Sequence, residues 1–145
     1  MNDEARQATV VVDTNVFGAT LLERTAWLVD LYRPVIRGRM VVISFQTLGE
    51  LHFGAVRRGW GQARVVALEA RIATSEVVHS TTALATAYAG LRAACERAGH
   101  GLAQRDHDAD RWIAATAMHL GVPLVSHDAI FRDVPGLVFE TALDG

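Results

Sequence analysis

The sequence contains no lysine, so all fourteen of its basic residues are arginine. This absence excludes several classes of phosphate chemistry that depend on a lysine, among them P-loop nucleotide hydrolases and receiver-like or phosphatase domains. Cysteine is almost absent too, since Cys95 is the only one. Neither an internal disulfide nor a cysteine-based zinc site can therefore form, and we expect a reducing, cytoplasmic setting.

Long hydrophobic runs and an excess of one charge are also missing. The longest apolar stretches, at residues 40–45 and 120–125, fall far short of the roughly 18 residues that a membrane-spanning helix needs. We therefore expect no membrane segment. Sixteen acidic residues against fourteen basic ones give a net charge of -2, which does not favour broad affinity for nucleic acid.

What is present is a chain of one domain's size. It has 145 residues, half of them hydrophobic, which allows a sizeable core and argues against disorder. We expect a single domain over residues 1–145, with its core at about residues 8–140.

Short apolar stretches alternate with segments of helical periodicity. The stretches predict strands at residues 9–12, 40–43, 76–79, 123–126 and 137–139. The periodic segments predict a helix with apolar positions from Leu21 that ends near Arg33, ahead of Pro34, and further helices at residues 45–58 and 62–73, from 81 or 82 to 98, and at 110–120. A polar loop is expected at residues 99–108. This alternation predicts an α/β fold, with a mostly parallel sheet of four to five strands and helices on both faces.

Four acidic residues occupy positions that such a fold brings together. Asp13 and Asp128 each follow a predicted strand, Glu50 lies about two turns into a helix, and Asp110 opens another helix. Two carboxylates about 4 Å apart repel by roughly 4 kcal/mol at an effective dielectric near 20, so a cation or protons must offset the repulsion. Oxygen ligands without thiolates favour Mg²⁺ or Mn²⁺, and a cation held in this way is suited to phosphodiester hydrolysis.

Four short motifs carry a family resemblance. They are VVDTN at residues 11–15, IS at 43–44 with Thr47 and Glu50-Leu51, DRWIAA at 110–115, and LVSHD at 124–128 with Phe131. In this order and spacing they resemble PIN-domain ribonucleases, and most closely the VapC toxins. The resemblance extends from residue 10 to residue 138, nearly the whole chain.

The resemblance implies a three-layer PIN-like fold and a magnesium-dependent endoribonuclease, with Mn²⁺ as a substitute metal. It further implies the toxin of a type II toxin–antitoxin pair that forms a homodimer, acts on an RNA substrate and is inhibited by a VapB-type antitoxin. The implied site has Asp13 and Asp110 as metal ligands, Glu50 and Asp128 acting directly or through water, and Asn15 and Ser126 as supporting polar residues.

Simpler interpretations stay open for several of these residues. Asp13 could only cap a helix, Glu50 could be an ordinary solvated helix residue, and Asp110 could act only on the helix dipole. The acidic cluster around His107 could form a separate metal site, although a solvated loop is the simpler interpretation. His127, beside Asp128, could touch substrate or carry protons, but the resemblance gives it no fixed role.

The sequence has no recognisable motif for RNA contacts. Arg57, Arg58 and Arg111 are candidates for substrate binding, because arginine contacts phosphate bidentately. Of the three tryptophans, Trp27 and Trp112 lie in apolar helical patterns that predict packing, whereas Trp60, between two glycines, is the candidate for an exposed, base-stacking ring. The alternative function is a catalytically silent PIN-like module that only binds RNA or a protein.

Overall fold

The fold is built on one sheet of five parallel strands. In the computed structural model, which describes residues 2–144, these are β1 Thr9–Val12, β2 Met40–Ser44, β3 Glu76–Val78, β4 Leu124–Val125 and β5 Phe139–Glu140. Their order across the sheet is β3-β2-β1-β4-β5, and each neighbouring pair is parallel. The expected parallel sheet is therefore confirmed, with the β-branched strand β1 at its centre.

Within the same residues the chain forms seven α-helices. They are α1 Asp3–Gln7, α2 Thr14–Phe17, α3 Trp27–Ile36, α4 Phe45–Arg57, α5 Gln62–Ala73, α6 Thr82–Ala98 and α7 Asp108–Leu120. Short 3₁₀ turns at Gly18–Leu21, Glu23–Thr25, Gly101–Ala103, Arg105–His107 and Ala129–Phe131 complete the connections. None of the helices in this described part is long and apolar enough to cross a membrane.

Alternation along β1 creates a separate core on each face of the sheet. Val11 packs with residues of α6 and α7, such as Leu91 and Ile113. Val10 and Val12 point to the other face and pack with residues of α2 and α3, such as Phe17 and Leu28. All seven of these side chains are buried. The result is the expected three-layer α/β arrangement, with helices covering both faces of a central sheet.

The strand order reverses between β1 and β4, and this point positions the candidate site. From β1 the chain proceeds outward to β2 and β3, and it returns on the other side to β4 and β5. In open α/β sheets, ligands bind at the carboxyl ends of the strands beside such a reversal. Asp13 follows β1 and Ser126 follows β4, so both lie at this point.

Three local predictions differ from the structure. Helix α3 continues past Pro34 to Ile36, because the backbone N–H of Arg37 still bonds to the carbonyl of Arg33 at 2.9 Å. That helix also begins only at Trp27, after two 3₁₀ turns that replace its predicted first turns. The polar loop at 99–108 is more ordered than expected, since it too contains two 3₁₀ turns and its last residue starts α7.

Candidate active site at the carboxyl edge of the sheet

Asp13 is the buried centre of the site, with 7% of its surface exposed. It caps α2, and its Oδ1 accepts a hydrogen bond from the Thr14 backbone N–H at 2.7 Å. Its Oδ2 accepts a hydrogen bond from the Ser126 hydroxyl at 2.6 Å, which links the ends of the neighbouring strands β1 and β4. The helix cap that sequence reasoning offered as a simpler role is therefore present, and the second oxygen adds a tertiary contact.

The environment of Asp13 disfavours its charged form. Burial raises the pKa of this carboxyl from 3.8 to about 6, against the hydrogen bonds from Ser126 and Thr14, which lower it. The negative charges of Asp110 and Glu50 raise the pKa of Asp13 further. These two acids therefore come close enough to interact with Asp13, although they are 97 and 37 residues away in the sequence.

Glu50 and Asp110 are each held by a neighbour on their own part of the chain. On α4 the side-chain amide of Gln46 donates to Glu50 Oε1 at 3.0 Å, one helical turn away. In the first turn of α7, Asp110 Oδ2 lies 2.9 Å from Nδ1 of His107. Sequence reasoning missed both partners, although spacings of four and three residues in helical segments could have indicated them.

Arg111 is a structural residue rather than the surface residue expected for substrate binding. It is only 2% exposed, and its guanidinium donates to the carbonyls of Leu102 at 2.8 Å and Gln104 at 2.6 Å. It also donates to Asp108 Oδ1 at 3.2 Å and to the hydroxyl of Tyr88 at 3.2 Å. Arg111 thus ties the turns before α7 to the start of that helix, where Asp110 lies.

Ser126 and Asp128 extend the site along the end of β4. The hydroxyl of Ser126, which donates to Asp13, also accepts a hydrogen bond from the Asp128 backbone N–H at 3.0 Å. The Asp128 side chain is exposed, and its Oδ1 accepts from the Ile130 backbone N–H at 3.0 Å, as a cap of the following 3₁₀ turn. Asp128 is not among the charges that raise the pKa of Asp13. The structure therefore brings Glu50 and Asp110 within electrostatic range of Asp13 and places Asp128 next to Ser126.

The donors at this edge fit a hard divalent cation. They are carboxylate oxygens, and among the described residues neither Asp13 nor Glu50 forms an ion pair that would offset its charge. Within residues 2–144, however, no three His, Cys, Asp or Glu side chains are grouped tightly enough to enclose a metal ion. That finding covers the acidic cluster around His107, whose carboxylates bond instead to His107 itself, Arg111 and Tyr88.

An open cavity of about 300 Å³ lies beside Glu50. Exposed Asn15, predicted as a supporting residue, shares its lining with Thr14 at the carboxyl end of β1. The lining also includes Arg58 and Trp60, and Trp60 is half-buried rather than exposed as predicted. The cavity therefore joins the acidic edge of the sheet to an arginine-rich surface at the end of α4.

The other two tryptophans differ from each other. Trp112 stacks on Tyr88 with ring centres 4.1 Å apart, which confirms its packing role. Trp27 is 57% exposed, so the prediction that it packs in the core is wrong. Its ring meets the His127 ring edge-on, with the ring centres 5.3 Å apart. His127 Nδ1 lies 2.8 Å from the hydroxyl of buried Tyr32, a contact between residues 95 apart that no local pattern indicates.

Comparisons with known proteins agree with this geometry. The family model described as PIN domain matches residues 10–137. Among solved structures, a chain of VapBC-5 from Mycobacterium tuberculosis, a member of the VapBC family of toxin–antitoxin systems, is 27% identical with a TM-score of 0.65, covering 92% of this chain and 97% of that one. A chain of DNA-bound VapBC from Salmonella typhimurium is 25% identical with a TM-score of 0.71, covering 94% and 99%.

A third structure shares the fold at lower identity. A chain of VapBC2 from Rickettsia felis, bound to a DNA fragment from its promoter, is 19% identical with a TM-score of 0.75, covering 92% of this chain and 98% of that one. No curated protein sequence matches the chain.

Proposed function

Since the chain belongs to the PIN domain family, whose members are generally nucleases, we propose that it is a metal-dependent endoribonuclease and the toxin of a VapBC-type pair. The observation that carries this proposal is the buried carboxylate of Asp13 at the strand-order reversal, where Glu50 and Asp110 add negative charge. A purely structural site would gain nothing from gathering these charges, because their repulsion is costly.

The residues present would hold Mg²⁺, or Mn²⁺ in its place. Asp13 and Asp110 are the proposed direct ligands, with Glu50 and Asp128 acting directly or through water. The metal would supply Lewis-acid stabilisation of the charge that develops on a phosphodiester and would lower the pKa of a water nucleophile.

The chain's own contribution is to fix the carboxylates in place. Ser126 holds one oxygen of Asp13 by its hydroxyl, which leaves the rotamer of Asp13 defined by bonds to both of its oxygens. His107 holds one oxygen of Asp110, its Oδ2, through the ring nitrogen Nδ1. Such outer partners matter, because removing one typically costs about 10- to 100-fold in metal affinity or activity.

We also propose that the chain acts as a homodimer and is inhibited by a VapB-type antitoxin. This rests on the resemblance and on the two VapBC structures with 25% and 27% identity. An arginine or lysine of the antitoxin would offset the negative charge of Asp13, Glu50 and Asp110 in place of the metal. Co-expression with the product of an adjacent open reading frame should therefore suppress RNA cleavage; an inhibitor that leaves these acids untouched would contradict this mechanism.

The test is cleavage of total bacterial RNA by the purified protein in Mg²⁺, in Mn²⁺ and in EDTA. We expect cleavage with either metal, none in EDTA, and a loss in Asp13→Asn that exceeds the roughly 100-fold upper figure for an outer partner, because a direct ligand is removed. Asp133→Asn is the matched control, because Asp133 is exposed and its φ of 59° is one that asparagine adopts readily. RNA binding without cleavage would instead identify a catalytically silent module.

A further inference from the structure

The cavity beside Glu50 leads from the acidic site to a cationic surface on α4. Glu50, Gly54, Arg57 and Arg58 all line it, at spacings that place them along one face of the helix. A rise of 1.5 Å per residue puts Arg58 roughly 12 Å from Glu50 along the helix axis. An extended polymer lying in the cavity could therefore contact Glu50 and the arginines at once.

The arginines of this surface are not neutralised by carboxylates. Arg57, Arg58 and Arg64 are exposed, and none of them forms an ion pair within the described residues 2–144. Six other arginines do pair with an acid: Arg6, Arg33, Arg39, Arg92, Arg111 and Arg132. Although the chain is slightly acidic overall, positive charge is left free at this surface.

Trp60 lies among these arginines on a fixed backbone. Gly59 has a φ of 64°, a left-handed conformation that ends α4 and lets the Trp60 backbone N–H bond to the carbonyl of Ala55 at 3.1 Å. The guanidinium carbons of Arg58 and Arg64 each lie 5.9 Å from the centre of the indole ring. The indole ring therefore lies directly beside two guanidinium groups at the end of the cavity.

The indole N–H of Trp60 distinguishes this side chain from an ordinary packed tryptophan. Its N–H is buried and has no hydrogen-bond acceptor among the described residues. Buried tryptophan N–H groups usually find a partner, so one without a partner calls for an explanation. Beside it, Gly54 leaves room for the Arg58 guanidinium, because a Cβ at that position would lie 2.6 Å from a guanidinium nitrogen.

We propose that Trp60, Arg57, Arg58 and Arg64 form a subsite for single-stranded RNA, in which a nucleobase stacks on the indole and the arginines contact flanking phosphates. This inference rests on the proposed function, since it names the surface that would carry the strand towards Asp13. Aromatic rings combined with a cationic groove are the usual means of binding single strands, because every base presents a stackable face.

An RNA strand fits this surface better than a protein does. The uncompensated guanidiniums of Arg58 and Arg64 beside the Trp60 ring, with Arg57 in the lining of the same cavity, match the alternation of phosphate and base along a strand. The cavity also continues to Thr14, Asn15 and Glu50, at the edge where a phosphodiester would be cut.

The test compares two probes in the full-length Asp13→Asn protein, which keeps RNA uncut. The first is a decamer of adenylate, and the second is a ten-unit ribose-phosphate oligomer without bases; fluorescence anisotropy gives each dissociation constant. We expect the adenylate decamer to bind at least fivefold more tightly, in line with about 1–3 kcal/mol per stacked base. Trp60→Leu should abolish this difference and leave binding of the base-free oligomer unchanged, whereas Trp60→Phe should retain it.

The arginines are tested with the same probes. Arg57→Gln with Arg58→Gln should weaken both oligomers and reduce the dependence of binding on salt, because phosphate contacts are lost. Arg97→Gln is the matched control, since Arg97 is exposed on α6, away from the cavity lining. Urea midpoints confirm that each variant folds.

Three results would overturn the inference. One is equal binding of the two oligomers by the parent protein, and another is unchanged binding after Trp60→Leu. The third is loss of antitoxin binding in Trp60→Leu with RNA binding intact, which would assign the surface to a protein partner. The proposed function fails separately: wild type that cuts no RNA contradicts the nuclease, whatever Trp60 binds.

Discussion

Asp13→Asn should stabilise the metal-free protein at pH 8, even though it removes the central residue of the site. The rise in the pKa of Asp13 from 3.8 to about 6 corresponds to a cost of about 3 kcal/mol for keeping the charged form folded. Asparagine has nearly the same shape, and its amide can still accept from Thr14 and donate to Ser126. The substitution therefore removes the desolvated charge and keeps the contacts.

The gain must depend on pH in a defined direction. Because the pKa of Asp13 is higher in the folded protein, its contribution to stability is fully present below pH 3.8 and is lost as the pH rises through about 6. Asparagine does not titrate. We expect equal stability of variant and wild type below about pH 4, and an advantage of up to about 3 kcal/mol for the variant above about pH 7.

Urea unfolding followed by circular dichroism in EDTA, from pH 4 to pH 8, measures this advantage. For a chain of 145 residues, 3 kcal/mol corresponds to a rise in melting temperature of about 6–12 °C. Asp133→Asn, at an exposed position, should show no such gain. This prediction would be refuted if Asp13→Asn were less stable than wild type at pH 8 by the same margin as at pH 4. Burial of the charged Asp13 would then not destabilise the folded protein.

Three further predictions concern the proposed metal site and the residues that support it. Mn²⁺ should raise the melting temperature of wild type but not of the double variant Asp13→Asn with Glu50→Gln, and equal shifts would rule out this metal site. Ser126→Ala should lower metal-dependent cleavage about 10- to 100-fold with little change in the fold, measured as the initial rate on total RNA; an unchanged rate would deny the hydroxyl its positioning role. Arg111→Met should cost at least about 2 kcal/mol in urea unfolding, because the buried carbonyl of Leu102 and the part-buried carbonyl of Gln104 lose their donor; a neutral effect would show that water replaces the guanidinium.

The sheet and most helices could be predicted because their signals are local. A β-branched run marks β1, Ser44 caps α4 by accepting from the Thr47 backbone N–H at 3.0 Å, and Gly121 ends α7 with a φ of 69°. The end of α3 could not be read in this way. Pro34 loses one hydrogen bond, but Tyr32 is buried in the core and the last turn still closes, so packing outweighs the local penalty.

The site was predictable only as far as topology determines it. The carboxyl ends of β1 and β4 bring Asp13 and Ser126 together whatever the intervening sequence. The burial of Arg111 depends instead on where the carbonyls of the preceding turns lie, which is a tertiary property without a sequence pattern. Trp27 is a case in which a local pattern was misleading. Its apolar spacing suggested packing, but α3 begins at this residue, so the ring lies at the exposed end of the helix.

The chemistry of the RNA ends produced by the protein tests the central claim most directly. Total bacterial RNA is incubated with wild type in Mg²⁺, and the new ends are identified by ligation that requires a 5′-phosphate and by sequencing. Hydrolysis by a metal-activated water predicts 5′-phosphate and 3′-hydroxyl ends, no cleavage in EDTA and none with Asp13→Asn. Cleavage that survives EDTA, or that leaves 2′,3′-cyclic phosphate ends, would contradict the account and direct attention to His107 and His127 as metal-free catalysts.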